Sequence, residues 1–186
     1  MGAGGIFFIA LLSIAIAFAV IYNALVRKRQ MTDNGWADID VQLKRRADLI
    51  PPLVETVKGY AAHERGLFEE IATKRNAALA AGDDPAARGA AEGALARPVS
   101  RIIALAENYP DLKANQNFLE LQKQLAETED KIEMARRFYN GAVRELNTTV
   151  HSVPSNVVAG LLGFSERAYF EAQDADRATP SVSMGS

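Results

Sequence analysis

The 186-residue chain contains no cysteine and only two histidines and one tryptophan. Without cysteine there can be no disulfide, zinc–thiolate site, iron–sulfur cluster or thiol nucleophile. That absence fits the cytoplasm and leaves the periplasm open. The histidines, His63 and His151, lack the neighbours a metal site needs. "HERGL" opens like a zinc-protease helix, but Leu67 stands where the second histidine belongs. Tyr60 and Thr148 stand three residues before the histidines, where a di-iron bundle places glutamate. Both histidines are expected at the surface or at helix ends. Glycine-rich phosphate loops and a G-x-S-x-G elbow are missing as well. No cofactor, metal or catalytic set is expected, so the chain reads as non-enzymatic. An excess of positive charge is also lacking. Setting Arg27, Lys28 and Arg29 apart from the 21 basic residues leaves 18 against 23 acids, a balance of −5, which argues against nucleic acid as a partner. Strand-like alternation and internal repeats are absent.

Residues 6 to 26, "IFFIALLSIAIAFAVIYNALV", carry no charge. At ~1.5 Å per residue this run spans ~31 Å as a helix, close to the ~30 Å hydrocarbon core of a bilayer. Ala17-Phe18-Ala19 resembles a signal-peptidase site. No Lys or Arg precedes the apolar run, however, and the hydrophobicity continues past Ala19, so a retained anchor is the reading. Its apolar body is represented by Ile6, Phe7, Phe8, Leu11, Leu12, Phe18 and Ile21. Arg27, Lys28 and Arg29 follow it directly, which places the rest of the chain on the cytoplasmic side. Ala10, Ser13, Ala17 and Ala24 form a small-residue face through which two anchors could meet; the plainer reading is that Ala is common throughout the chain.

The remainder is helical in pattern. Trp36, Ile39, Leu43, Ala47, Ile50, Val54, Val57 and Ala61 recur at steps of three and four, with Asp33 placed to cap that helix. The seam keeps phase through Pro51 and Pro52, so the reading is one helix bent there, with a full break as the alternative. "GDDP" reads as a stop and restart: Gly82 ends a helix, Asp83 or Asp84 caps, and Pro85 opens the next. Pro98 is expected to interrupt the following Ala-rich helix. Phe118, Leu121, Leu125, Thr128, Ile132, Ala135, Tyr139, Ala142, Leu146 and Val150 form a heptad seam. "SVPSN" stops it, and "VVAGLLGF" adds a short apolar helix whose Val157, Leu161 and Leu162 are candidate contacts between protomers. Val41, Leu53 and Val143 are expected off the seams, on outward faces. The fold class is all-α: a transmembrane helix followed by an elongated antiparallel (four-)helix bundle. The expected organisation is a stub at 1–5, a span at 6–26, a basic juxtamembrane segment at 27–32, a bundle at 33–164 and a tail at 165–186.

Glu127, Glu129, Asp130 and Glu133 look like a carboxylate cluster, but i, i+4 partners such as Arg137 make a solvated, charge-laced face the better reading. Polar residues also crowd both long helices. Asp40, Arg45, Arg46, Asp48 and Glu55 on the first, with Arg136, Arg137, Tyr139, Asn140 and Asn147 on the second, would be accounted for by a polar layer pairing the two, with Asp40, Arg45, Asp48, Arg136, Tyr139, Asn140 and Asn147 as its candidates. Simple surface exposure is the equal alternative.

At these residues the chain resembles the LemA family of bacterial membrane proteins. The resemblance rests on "YNALVRKR", "WADIDVQLKRRADLIPPLVETVKGYAAHE", "NFLELQKQLAETEDKIEMARRFYNGAVRELN" and "GFSERAYFEA". One departure is Leu146-Asn147, where such proteins often repeat a Tyr-Asn pair. The resemblance implies a helical bundle on one membrane anchor and supplies no reaction; one branch is associated with magnetosome membranes. The expected role is a membrane-anchored homo-oligomeric scaffold that organises or shapes the bacterial inner membrane. The alternative is an adaptor presenting its bundle to a membrane protease or signalling protein.

Overall fold

In the computed structural model, residues 2–171 are described, and among them there are helices and no strand. The final part of the expected tail, from residue 172 on, lies outside the described residues. The elements are α1 (Ala3–Lys58), α2 (Arg65–Ala80), α3 (Pro85–Leu105), a 3₁₀ turn (Ala106–Asn108), α4 (Pro110–Lys113), α5 (Gln116–His151) and α6 (Ser155–Leu162). Among the described residues they divide into two compact units, 2–42 with 130–169, and 43–129 with 170–171.

Helix α1 takes in the apolar run, the basic residues and the first seam without interruption. Asp33 therefore lies inside a helix and not at its start; it faces Arg29 at 4.0 Å and Arg167 at 2.9 Å. The prolines do not break α1. Pro51 cannot donate to the carbonyl of Ala47, and the Arg75 Nε of α2 does so instead at 2.6 Å. A backbone acceptor orphaned by proline thus becomes an inter-helix tie. The phase of the seam signalled this continuity, because a break would have released the apolar residues beyond it from one face.

In the first unit, Leu25, Leu146, Val158 and Ala159 form a small core, flanked by Ile21, Val150 and Phe164. Residue numbers fall on α5 as they rise on α1: Lys28 meets Glu145 and Gly35 lies against Phe138 and Tyr139. In the second unit, Ile50, Leu53, Val57, Phe68, Ile71, Leu95, Ile102, Leu112, Phe118 and Leu125 are among the residues of a larger core. Its connections follow turn chemistry. Gly82 sits at φ +69°, where glycine avoids the Cβ clash, and Asp84 accepts a hydrogen bond from Ala87 N at 2.9 Å with Pro85 opening α3. Asn115 caps α5 by accepting from the amides of Asn117 and Phe118.

Two further expectations are corrected. Pro98 does not interrupt α3, which runs through it with the proline ring buried. Leu53 and Val143 do not face outward: both are fully buried, whereas Val41 is exposed. The buried stripe of each long helix is wider than one seam, as expected where a helix packs against more than one neighbour.

Candidate functional site

The apolar end of α1 comes first. Ile6, Phe7, Phe8, Leu11, Leu12 and Phe18 are all exposed, and the most apolar 18-residue window of α1 is 0% buried. Soluble proteins rarely expose so large a contiguous apolar surface. Ser13 donates to the Ile9 carbonyl at 2.8 Å, so its hydroxyl needs no water. Ala10, Ser13 and Ala17 are exposed, Ala24 is half-buried, and Val157, Leu161 and Leu162 lie exposed on α6. Ile21 is half-buried against the small core.

In the first unit, the polar residues of α5 hold the segment after α6. Tyr139 is buried beside Trp36, ring centroids 5.5 Å apart, and its hydroxyl donates to the Ala168 carbonyl at 2.8 Å. Asn147 reads the backbone of Arg167 at both ends: its Nδ2 donates to the carbonyl at 3.0 Å and its Oδ1 accepts from the amide at 2.9 Å. The Arg167 guanidinium reaches Asp33, and His151 meets Glu166 at 2.6 Å. Leu146, where a second Tyr-Asn pair would have placed a hydroxyl, belongs to the apolar core, and Asn147 performs the polar role. Arg136 and Asn140 are half-buried on α5, and Asp40 is exposed on α1. His63 is exposed, as is His151 at the end of α5.

In the second unit, Arg45 and Asp48 are exposed, and Asp48 approaches Arg75 at 3.9 Å. The buried cation is Arg46. Its guanidinium donates to both carboxylate oxygens of Glu129, at 3.2 and 2.9 Å, and to the carboxylate of Glu92. Arg88 closes the cluster, with Nε 3.3 Å from Glu92. Burial opposes the charge on Arg46, but the carboxylates of Glu129 and Glu92 outweigh it and raise its pKa above the ordinary guanidinium value. The sequence held a signal for this cluster. Arg46 is three residues past Leu43 and four before Ile50, and Arg88 and Glu92 continue the Leu95–Val99–Ile102 spacing of α3; all three sit on apolar faces. Beside the cluster lies a groove of about 340 Å³ lined by Arg46, Leu95, Val99, Ile103, Leu125 and Glu129, among others.

This chemistry is structural in kind. Arginine stays charged and cannot serve as a base, and each carboxylate here is engaged by a guanidinium. Among the described residues no group of three or more His, Asp or Glu is placed to hold a metal ion.

One surface pair lies just beyond the apolar run. The Lys28 ammonium donates to Glu145 at 2.8 Å, which holds the Glu145 pKa below the usual glutamate range. A lowered folded-state value means stability that is present above the unfolded pKa and lost as pH falls through the folded one. Lys28→Ala is expected to return Glu145 to the ordinary range, observed as an upward shift of its carboxyl titration by NMR. With the group fully exposed, the effect should fade in high salt. An unchanged Glu145 titration in the variant would show that the pair does not form in solution.

The sequence profile described as the LemA family matches residues 35–184. Magnetosome protein MamQ 2 of Paramagnetospirillum magneticum is 25% identical over 195 residues, covering 90% of this chain and 72% of that protein. MamQ of Magnetospirillum gryphiswaldense is 23% identical over 189 residues, covering 87% and 70%. Protein LemA of Metamycoplasma hominis is 24% identical over 155 residues, covering 83% and 71%.

Proposed function

Since this chain belongs to the LemA family, we propose that it is a membrane-anchored, non-catalytic scaffold that self-associates and organises the bacterial inner membrane. The observation that carries the reading is the exposed apolar end of α1, which continues as the same helix into the first unit. No flexible linker separates residues 6–26 from Trp36 and Ile39. An anchor built this way fixes the orientation of the packed residues near it relative to the bilayer, as a scaffold requires and a tethered enzyme does not. The magnetosome-named relatives agree with a membrane-organising role. Arg27, Lys28 and Arg29 favour the cytoplasmic side for the helical domain. The small-residue face Ala10–Ser13–Ala17 offers a contact between anchors.

Two measurements test this. His63→Cys introduces a lone thiol into the cysteine-free chain. In sealed spheroplasts a membrane-impermeant maleimide should label it only after lysis. Labelling of intact spheroplasts would reverse the orientation. Light scattering on the full-length protein in mild detergent should give particles several times the protomer mass. A monodisperse monomer across micromolar concentrations would remove the scaffold and leave the adaptor.

A further inference from the structure

Helix α6 does not pack on just any part of α1. Its Val158 and Ala159 share a core with Leu25 and Ile21, and Tyr22 meets Phe164 edge-on with ring centroids 6.1 Å apart. These α1 residues are the last turns of the apolar run. If residues 6–26 cross the hydrocarbon, Leu25 lies ~1.5 Å and Ile21 ~7.5 Å inside its edge. A helix seated on them sits at that same depth.

Several apolar side chains on and just before α6 are left exposed beside this core. Val157 is 60% exposed, Leu161 72%, Leu162 45%, and Val153 just before the helix 81%. Residues 152–164 carry no charge. The polar level begins directly afterwards: Arg29, Ser165, Glu166 and Arg167 help line a pocket of about 290 Å³ next to Gly163. Apolar and polar surfaces change over here as they do at a bilayer boundary, where an interfacial helix buries its apolar face about 5–10 Å deep.

We propose that α6 is immersed in the lipid, the exposed side chains of Val153, Val157, Leu161 and Leu162 lying among the outer acyl segments of the leaflet from which α1 emerges. The inference rests on the anchor reading and extends it: the chain holds the bilayer by a span and by a wedge beside it, confined to one leaflet. A second copy of the chain is the competing occupant. Four aliphatic side chains bury on the order of a few hundred Å², well short of the roughly 800 Å² per partner of a stable protein interface. The helix that carries them packs on the last turns of the exposed apolar run, which favours lipid.

The test uses single-cysteine variants of the full chain, Leu161→Cys and Leu12→Cys, labelled with an environment-sensitive fluorophore. Each is reconstituted into phosphatidylethanolamine–phosphatidylglycerol vesicles containing nitroxide-labelled lipids. The expected result is blue-shifted emission at both positions. Position 161 should be quenched best by a nitroxide high on the acyl chain, and position 12 by a deep one. Water-like, unquenched emission at 161 with normal quenching at 12 overturns the wedge and leaves the anchor. Blue-shifted emission at 161 that resists lipid quenching and fades as the protein is diluted in lipid assigns the face to a second copy and also overturns the proposal. Unquenched emission at position 12 overturns the anchor, and the wedge with it.

Discussion

Arg46→Ala is expected to destabilise the second unit by about 3–5 kcal/mol, the usual cost of breaking a buried ion pair from one side. Arg46 is 6% exposed and Glu92 4%, so water cannot replace the lost partner at Glu92. Glu92 would keep only Arg88, itself 6% exposed, while Glu129, with 60% of its side chain exposed, would be resolvated at little cost. In thermal unfolding followed by circular dichroism, the loss should appear as a midpoint lowered by roughly 10 °C. The triple variant Arg46→Met/Arg88→Met/Glu92→Leu should regain most of it, because apolar residues of similar volume often replace a buried ionic group without loss. A single variant within about 1 kcal/mol of the parent would show that the cluster is solvated and contributes little. The raised pKa of Arg46 adds no pH dependence near neutrality. Stability from a raised folded-state value is fully present below the unfolded pKa and is lost as pH rises through the folded one, far above neutrality for a guanidinium.

Both long seams were legible from apolar spacing alone, and every residue assigned to them is buried or half-buried. Counting only apolar residues, however, hides a charge that shares the buried face, and Arg88 and Glu92 were hidden in this way. The phase argument worked at Pro51–Pro52, where apolar residues flank the prolines on one stripe. The same argument applied to Leu95, Val99 and Ile102 would have carried α3 through Pro98. The hold of Tyr139 and Asn147 on residues 167 and 168 was not legible at all. Those bonds go to the backbone of a segment without regular structure, and such a segment leaves no periodic trace. The long apolar helix at the start of α1 was legible throughout, since length and absence of charge are properties of composition.

Gly89→Val is expected to cost about 3–5 kcal/mol, comparable to removing a buried aromatic side chain. On helix propensity alone the sign would be opposite for the smaller change: Gly→Ala inside a helix gains up to ~1 kcal/mol. At Gly141 that rule should hold, because a Cβ there meets nothing within 4 Å. At Gly89 a Cβ would come within 2.5 Å of the Glu171 carbonyl oxygen and 2.9 Å of its carbon. Backbone atoms cannot rotate aside as a side-chain tip can, so the segment at 170–171 must move, and Phe170, 1% exposed, must leave its place in the second unit. Gly89→Ala should therefore destabilise where Gly141→Ala stabilises, and Gly89→Val should approach the effect of Phe170→Ala. A double-mutant cycle separates this mechanism from simple helix damage. If both variants act by undocking the same segment, Gly89→Val/Phe170→Ala should be scarcely less stable than either single variant. Full additivity would mean that the valine harms α3 itself and that the contact with Glu171 is incidental.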